Sequence, residues 1–139
     1  MNAVRQAIVI LGIALVPAIF TAEFHPRRPA WVQTRPDEIT IATVREWGSS
    51  VLWVDARPPS EYQAQHVPGA VPLSPENWDN DLPKFLDAWD SGRKVVVYCS
   101  STSCELSHEV AKRLERSGLS NIYVLQGGWE AIRESGAVH

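Results

Sequence analysis

The chain has 139 residues, of which 45% are hydrophobic, enough for one domain with a buried core. Its net charge is −3, and the residues from 36 onward carry nine basic and fifteen acidic side chains. An acidic body lacks the basic face that binds phosphates, so we expect no nucleic-acid partner. Two cysteines are too few for a disulfide framework, but the four residues between them allow a local redox pair.

Residues 1–24 contain an uncharged, mostly apolar run from Ala7 to Ala22. As a helix, this run would span about 24 Å, slightly less than the roughly 30 Å hydrocarbon core of a bilayer. Phe20 stands where a signal-peptide cleavage site needs a small side chain. We therefore expect residues 7–22 to form an uncleaved single-span membrane anchor, with a cleaved signal and a buried helix as alternatives. The nearly balanced count of flanking positive charges slightly favours a cytoplasmic domain. The short, weakly basic start favours an exported, periplasmic or extracytoplasmic, domain, which we expect.

Residues 25–36 hold three prolines and three arginines, a composition typical of an extended linker. Residues 37–139 then alternate between strand-like and helix-like patterns. In the first half we predict a short strand or turn and then a helix over Ile39–Trp47, a buried strand over Val51–Asp55, a helix over Ser60–His66 with Ser60 as its N-cap, and a strand over Ala70–Leu73.

The second half continues the alternation. We predict a helix over Leu82–Trp89, a strand over Lys94–Cys99, a helix over Glu105–Arg116 that Gly118 stops, a strand over Ile122–Leu125 and a helix over Trp129–Arg133. In the longest helix, the apolar face consists of Leu106, Val110, Ala111 and Leu114. Unbroken apolar strands that alternate with helices predict a three-layer α/β fold, a central parallel sheet with helices on both faces.

Cys99 ends an apolar run and is followed closely by a predicted helix. Backbone N–H groups and the helix dipole stabilise an anion at a helix N-terminus, and the reactive form of cysteine is the thiolate anion. Ligands of parallel sheets bind outside the carboxyl ends of the strands, where Asp55 and Cys99 both lie. Cys99 is therefore a candidate nucleophile, and we expect an ionised, accessible sulfur. The alternative is a buried, inert cysteine.

Four landmarks along residues 37–139 together resemble the rhodanese homology domain. They are Asp55-Ala56-Arg57, then Glu61-Tyr62 with His66-Val67-Pro68-Gly69-Ala70, then Cys99, and finally Gly127-Gly128-Trp129. The resemblance implies a five-stranded parallel sheet and sulfurtransferase chemistry without a cofactor, in which Cys99 carries a persulfide. It also implies that Asp55 and Arg57 form a charge pair that supports the site.

The loop after Cys99 departs from the pattern of many catalytic members, which have a compact loop with glycine and arginine. Here the loop reads Ser-Ser-Thr-Ser-Cys, lacks both residues and is similar to a longer variant with a second cysteine. Phosphatase relatives of the fold use Cys-x5-Arg, whose arginine clamps an oxyanion. Glu105 occupies that position here, and its negative charge argues against a phosphatase.

The loop offers several candidate groups. Its backbone amides would bind the persulfide anion. Its hydroxyl groups would either bind a substrate sulfonate or only stabilise the turn. These hydroxyl groups belong to Ser100, Ser101, Thr102 and Ser103. Cys104 would either resolve the persulfide as a disulfide or pack under the helix. Thr102 and Glu105 fit a capping box. We expect no metal, because His108 and the two cysteines give three ligands where structural zinc needs four.

The sequence thus predicts a sulfurtransferase that moves sulfane sulfur from thiosulfate or a persulfide donor to a thiol or cyanide through Cys99. The expected partners are a small sulfur-containing substrate or a thiol protein, and a membrane through residues 7–22. Two alternatives stay open: a thiol–disulfide redox protein that uses Cys99 and Cys104, and a non-catalytic binding module of the same fold.

Overall fold

The structure, a computed structural model, describes residues 37–100 and 105–136. Along these residues five strands form: β1 (Glu38–Ile39), β2 (Val51–Asp55), β3 (Val71–Pro72), β4 (Lys94–Tyr98) and β5 (Ile122–Leu125). They form one sheet in the order β1-β5-β4-β2-β3, and each pair of neighbours is parallel. The predicted five-stranded parallel sheet is confirmed, with β4 at its centre.

Four α-helices connect the strands and a fifth follows the last strand: α1 (Ile41–Trp47), α2 (Pro59–Ala64), α3 (Trp78–Ala88), α4 (Glu105–Arg116) and, after β5, α5 (Gly128–Glu134). Successive side chains of a strand point to opposite faces of the sheet. On one face Val95 and Val97 belong to a core cluster with side chains of α3 and α4. On the other face Val96 and Tyr98 belong to a cluster with side chains of α1 and α5. Helices therefore cover both faces, as predicted.

Two helix starts differ from the prediction. Ser60 is not an N-cap, because α2 begins at Pro59 with Pro58 in the cap position. Proline suits the first turn of a helix, since its φ is already helical and its missing N–H would have had no partner there. Helix α3 begins at Trp78, four residues earlier than predicted, and it accommodates Pro83 in its interior. The carboxylates of its first turn complement the positive end of the helix dipole.

The predicted membrane anchor and linker lie in residues 1–36, outside the described residues, and stay predictions. Within residues 37–100 and 105–136, every helix is too short or too polar to cross a bilayer.

The turn between β5 and α5 requires glycine. Gly127 has φ of 79°, and an added Cβ would lie 2.8 Å from the Cβ of Ala131. We expect Gly127→Ala to lower the free energy of unfolding by about 2–3 kcal/mol, from left-handed backbone strain and steric overlap together. Gly118→Ala is the control, because Gly118 has φ of 87° and open space around it. Urea unfolding should show that Gly118→Ala lowers the free energy of unfolding by only about 1 kcal/mol. Equal losses in both variants would contradict the steric argument.

Candidate active site

Cys99 lies directly after the central strand β4, at the carboxyl edge of the sheet. Its carbonyl oxygen accepts a hydrogen bond from the backbone N–H of Trp129 at 2.6 Å. The residue is 2% exposed, and its sulfur is disulfide-bonded. The hydroxyl of Ser107 donates to its Sγ at 3.6 Å. The structure thus holds the sulfur as a disulfide, where the sequence predicted an accessible thiolate. The sulfur is buried because Cys99 packs within the core cluster that includes side chains of α4.

Asp55 and Arg57 form the charge pair that the resemblance implied. Arg57 Nε donates to Asp55 Oδ1 at 2.9 Å, and Arg57 Nη2 donates to Oδ2 at 2.7 Å. The two side chains are 0% and 3% exposed. Burial alone would lower the pKa of Arg57, but the hydrogen bond and negative charge of Asp55 raise it above its ordinary value. The guanidinium therefore stays charged inside the protein.

Tyr98 connects this pair to the strand that ends at Cys99. Its hydroxyl donates to Asp55 Oδ2 at 2.8 Å and accepts from the N–H of Val67 at 3.3 Å. Burial, and then the charge of Asp55, raise the pKa of Tyr98 above its ordinary value. The phenol therefore remains a protonated donor.

Tyr98→Phe removes one hydrogen bond to a buried carboxylate, so we expect a loss of about 1.5–3 kcal/mol in unfolding free energy near neutral pH. A group whose pKa is raised by folding stabilises the fold below the unfolded pKa, here 10.0, and that stabilisation falls as the pH rises above it. The free energy of unfolding, measured with urea above pH 10, should therefore fall less steeply with pH in Tyr98→Phe than in the wild type. Parallel pH profiles would contradict this assignment.

Trp129 packs on the same pair from the start of α5. The guanidinium carbon of Arg57 lies 4.2 Å from the centre of the Trp129 ring, a cation–π distance. The Trp129 ring also stacks near Tyr98, with 6.0 Å between centroids. The Gly-Gly-Trp landmark thus contacts both the charge pair and the backbone of Cys99.

Glu61 contacts the first residue of the loop after Cys99. Its Oε2 accepts a hydrogen bond from the hydroxyl of Ser100 at 2.9 Å and lies 3.7 Å from Nη1 of Arg57. Arg57 also donates to the carbonyl of Gln65 at 2.6 Å. Ser100, predicted as a substrate ligand, therefore has a different contact, which anchors the loop to α2. Sequence analysis noted Glu61 as a landmark but missed this role.

The other predicted loop residues, Ser101, Thr102, Ser103 and Cys104, lie outside the described residues, and their roles stay predictions. His108 contacts a residue of β1: its Nε2 lies 3.1 Å from Glu38 Oε1. Among the residues that the structure describes, no group of three or more His, Cys, Asp and Glu side chains could hold a metal ion.

Sequence analysis also missed Ser107. The helical pattern placed Leu106 on the buried face of α4, and Leu106 is indeed half-buried against the core. The fully buried residues of α4 are Ser107, Val110, Ala111 and Leu114. The signal was available, because positions 107, 110, 111 and 114 have the spacing i, i+3, i+4, i+7 of one helix face. A serine at the first of these positions hid the pattern.

Comparison with known proteins adds the family. Residues 40–135 match the family described as "Rhodanese-like domain". The chain is similar to the thiosulfate sulfurtransferase GlpE of Tolumonas auensis, with 33% identity over 84 residues that cover 60% of this chain and 74% of that protein. It is also similar to the HTH-type transcriptional regulator Rv0324 of Mycobacterium tuberculosis, with 32% identity over 104 residues. That match covers 72% of this chain but 43% of the regulator, so the chain spans less than half of that relative's length.

Among solved structures, the BH2092 protein from Bacillus halodurans superposes with a TM-score of 0.59. The two are 22% identical, and the match covers 71% of this chain and 72% of that one. At this identity the likeness shows the fold alone. The family match, by contrast, covers well over half of the chain and contains the whole of the site described above. The chain belongs to the rhodanese-like domain family.

Proposed function

We propose that the protein is a sulfurtransferase that moves sulfane sulfur from thiosulfate or a persulfide donor to a thiol or cyanide. The observation that supports this most is the place of Cys99, directly after the central strand of a rhodanese-like sheet and close to the start of α4. Amide groups and the dipole at a helix start favour a negatively charged sulfur.

The reaction is a two-step exchange. The Cys99 thiolate attacks the outer sulfur of the donor, a new S–S bond forms, and the donor's S–S bond breaks. The electron pair leaves with sulfite or with the donor thiolate, so Cys99 now carries a persulfide. An acceptor thiolate or cyanide then attacks the outer sulfur and displaces the Cys99 thiolate, which gives an acceptor persulfide or thiocyanate. Neither step needs an external oxidant.

The charged groups near Cys99 pair with one another, so little unpaired positive charge is left to bind an anionic donor. Arg57 is neutralised by Asp55 and lies close to Glu61, so its guanidinium faces protein partners. Glu61 in turn holds Ser100. In this proposal an anionic donor binds through the backbone amides and hydroxyls of the loop after Cys99, and the roles predicted for Ser101, Thr102 and Ser103 stay predictions.

A second candidate function is thiol–disulfide exchange, and the disulfide at Cys99 favours it. The sequence has one other cysteine, Cys104. In this function a partner dithiol would reduce the disulfide, gaining its own disulfide while two protons and two electrons pass to the cysteines. In the sulfurtransferase, the same reduction is only the step that frees Cys99 for reaction.

Steady-state assays of reduced protein separate these functions. We expect Cys99→Ser to reduce thiocyanate formation from thiosulfate and cyanide, and thiol-dependent sulfide release, to the uncatalysed background, because serine cannot carry sulfane sulfur. Cys104→Ser is the matched control and should keep persulfide formation. Loss of disulfide exchange in both variants, without any sulfur transfer in the wild type, would instead identify the redox protein. Activity that survives in Cys99→Ser contradicts the proposal.

A further inference from the structure

We propose that the hydroxyl of Ser107 donates a hydrogen bond to the Cys99 thiolate, the nucleophile of the first step and the leaving group of the second, and so keeps the sulfur in its reactive form; this rests on the proposed function. Ser107 Oγ lies 3.6 Å from Cys99 Sγ, in the range of a hydrogen bond to sulfur. Both residues are 2% exposed, so little water competes for this contact.

The hydroxyl of Ser107 lies on the buried, otherwise apolar face of α4. Ser107 begins the buried stripe that continues through Val110, Ala111 and Leu114. A hydroxyl in such a stripe destabilises the fold unless it is hydrogen-bonded, and serine favours helix less than alanine does. Packing and helix propensity would therefore both prefer alanine here. The contact to the sulfur is one that serine makes and alanine cannot.

The chemistry follows from which charge state the donor favours. A hydrogen bond donated to a charged group stabilises that charged form, and hydrogen bonds to ionised groups are stronger than those between neutral groups. The thiolate carries its negative charge on Cys99 Sγ, the atom that Ser107 contacts, so Ser107 stabilises the nucleophile of the first step. In the persulfide the charge lies on the outer sulfur, and Ser107 acts again when the acceptor displaces Sγ as the leaving thiolate. The serine keeps its proton and forms no covalent bond.

The test measures the reactivity of Cys99 directly. In a Cys104→Ser background, Cys99 is the one cysteine in the sequence, and its alkylation rate by iodoacetamide can be followed as a function of pH. We expect Ser107→Ala to move the midpoint of this profile upward and to slow alkylation below the midpoint by about tenfold, the effect of one hydrogen bond to a charged group. Iodoacetamide reacts without a sulfur donor, so the result is readable even if sulfur transfer fails.

Two further variants serve as controls. Ser117→Ala removes a hydroxyl that donates to the Arg113 carbonyl at 3.0 Å, beyond the other end of the same helix, and should leave the profile unchanged. Ser107→Thr keeps a hydroxyl and should restore a profile close to that of the Cys104→Ser parent. If circular dichroism shows that Ser107→Ala is unfolded, the pair Ser107→Thr and Ser107→Val takes its place, because these two side chains match in shape and differ in the hydroxyl.

A Ser107→Ala profile that overlays that of the Cys104→Ser parent would overturn the proposal. So would an equal shift in Ser107→Thr and Ser107→Ala, because packing rather than the hydroxyl would then be responsible. Failure of the proposed function has a different signature: the alkylation shift would be present, but treatment of the parent protein with a sulfur donor would leave no persulfide on Cys99.

Discussion

Replacing Asp55 with alanine is expected to lower the free energy of unfolding by about 3–5 kcal/mol, because the buried Arg57 guanidinium loses its counterion. The pair is almost completely buried, so water cannot replace the lost carboxylate. The hydroxyl of Tyr98 loses its acceptor in the same change. Urea unfolding monitored by tryptophan fluorescence measures the loss, and the absence of a folded baseline would indicate a loss at least this large.

Two comparisons identify the cause. Asp81 is also buried, but its partner Lys84 has a side chain that is 61% exposed and can return to water. We therefore expect Asp81→Ala to cost about 1 kcal/mol or less through its ion pair. The double variant Asp55→Ala/Arg57→Ala should lose less stability than the sum of the two single changes. Each single change leaves one buried charge without a partner, whereas the double change removes both charges. Additive losses, or a loss under about 1 kcal/mol in Asp55→Ala, would show that the buried pair is not a structural requirement.

Trp129→Ala is the second substitution for which we expect a large effect, a loss of about 3–5 kcal/mol in unfolding free energy. The indole is 9% exposed, packs against Tyr98 and lies over the guanidinium of Arg57. Truncation therefore leaves a cavity and removes a cation–π contact in one change. The backbone N–H of residue 129 still reaches the carbonyl of Cys99, so the loss reports on the side chain.

Trp47→Ala is the matched control for this substitution. Trp47 is half-buried and contacts Lys94 at the beginning of β4, the end of the strand opposite to Cys99. We expect a smaller loss, about 1–2 kcal/mol, because less apolar surface returns to water. Chemical unfolding of both variants under one condition gives the comparison. Both rings have a cation within cation–π distance, so losses of equal size would contradict the claim that the deeper burial of Trp129 makes its contribution larger.

The sequence predicted the sheet better than the helix starts. The buried strands β2, β4 and β5 are continuous apolar runs, and that pattern depends only on burial of both faces. The start of α2 was wrong because the prediction left Pro59 outside the helix, and the start of α3 was wrong because the prediction began at the first residue of the apolar periodicity. Proline fits the first turn of a helix, and tertiary packing of Trp78 extends α3 beyond its strongest periodic segment.

At the candidate site, the charge pair was predictable because Asp55 and Arg57 are neighbours in sequence and their motif is specific. The contact between Glu61 and Ser100 was not, since 39 residues separate them and no periodicity connects α2 to the loop after β4. Ser107 was hidden for a different reason. Hydropathy classes serine as a surface residue, whereas Ser107 is buried here and contacts the Cys99 sulfur.

The central claim is that Cys99 carries sulfur, and peptide mass mapping tests it most directly. Reduced protein would be treated with thiosulfate or a small-molecule persulfide, alkylated, digested and analysed. The account predicts an added mass of about 32 Da on the peptide that contains Cys99, a mass that disappears after incubation with cyanide or a thiol acceptor. An unmodified Cys99 peptide after treatment with both donors, from protein shown to be reduced and folded, would contradict it.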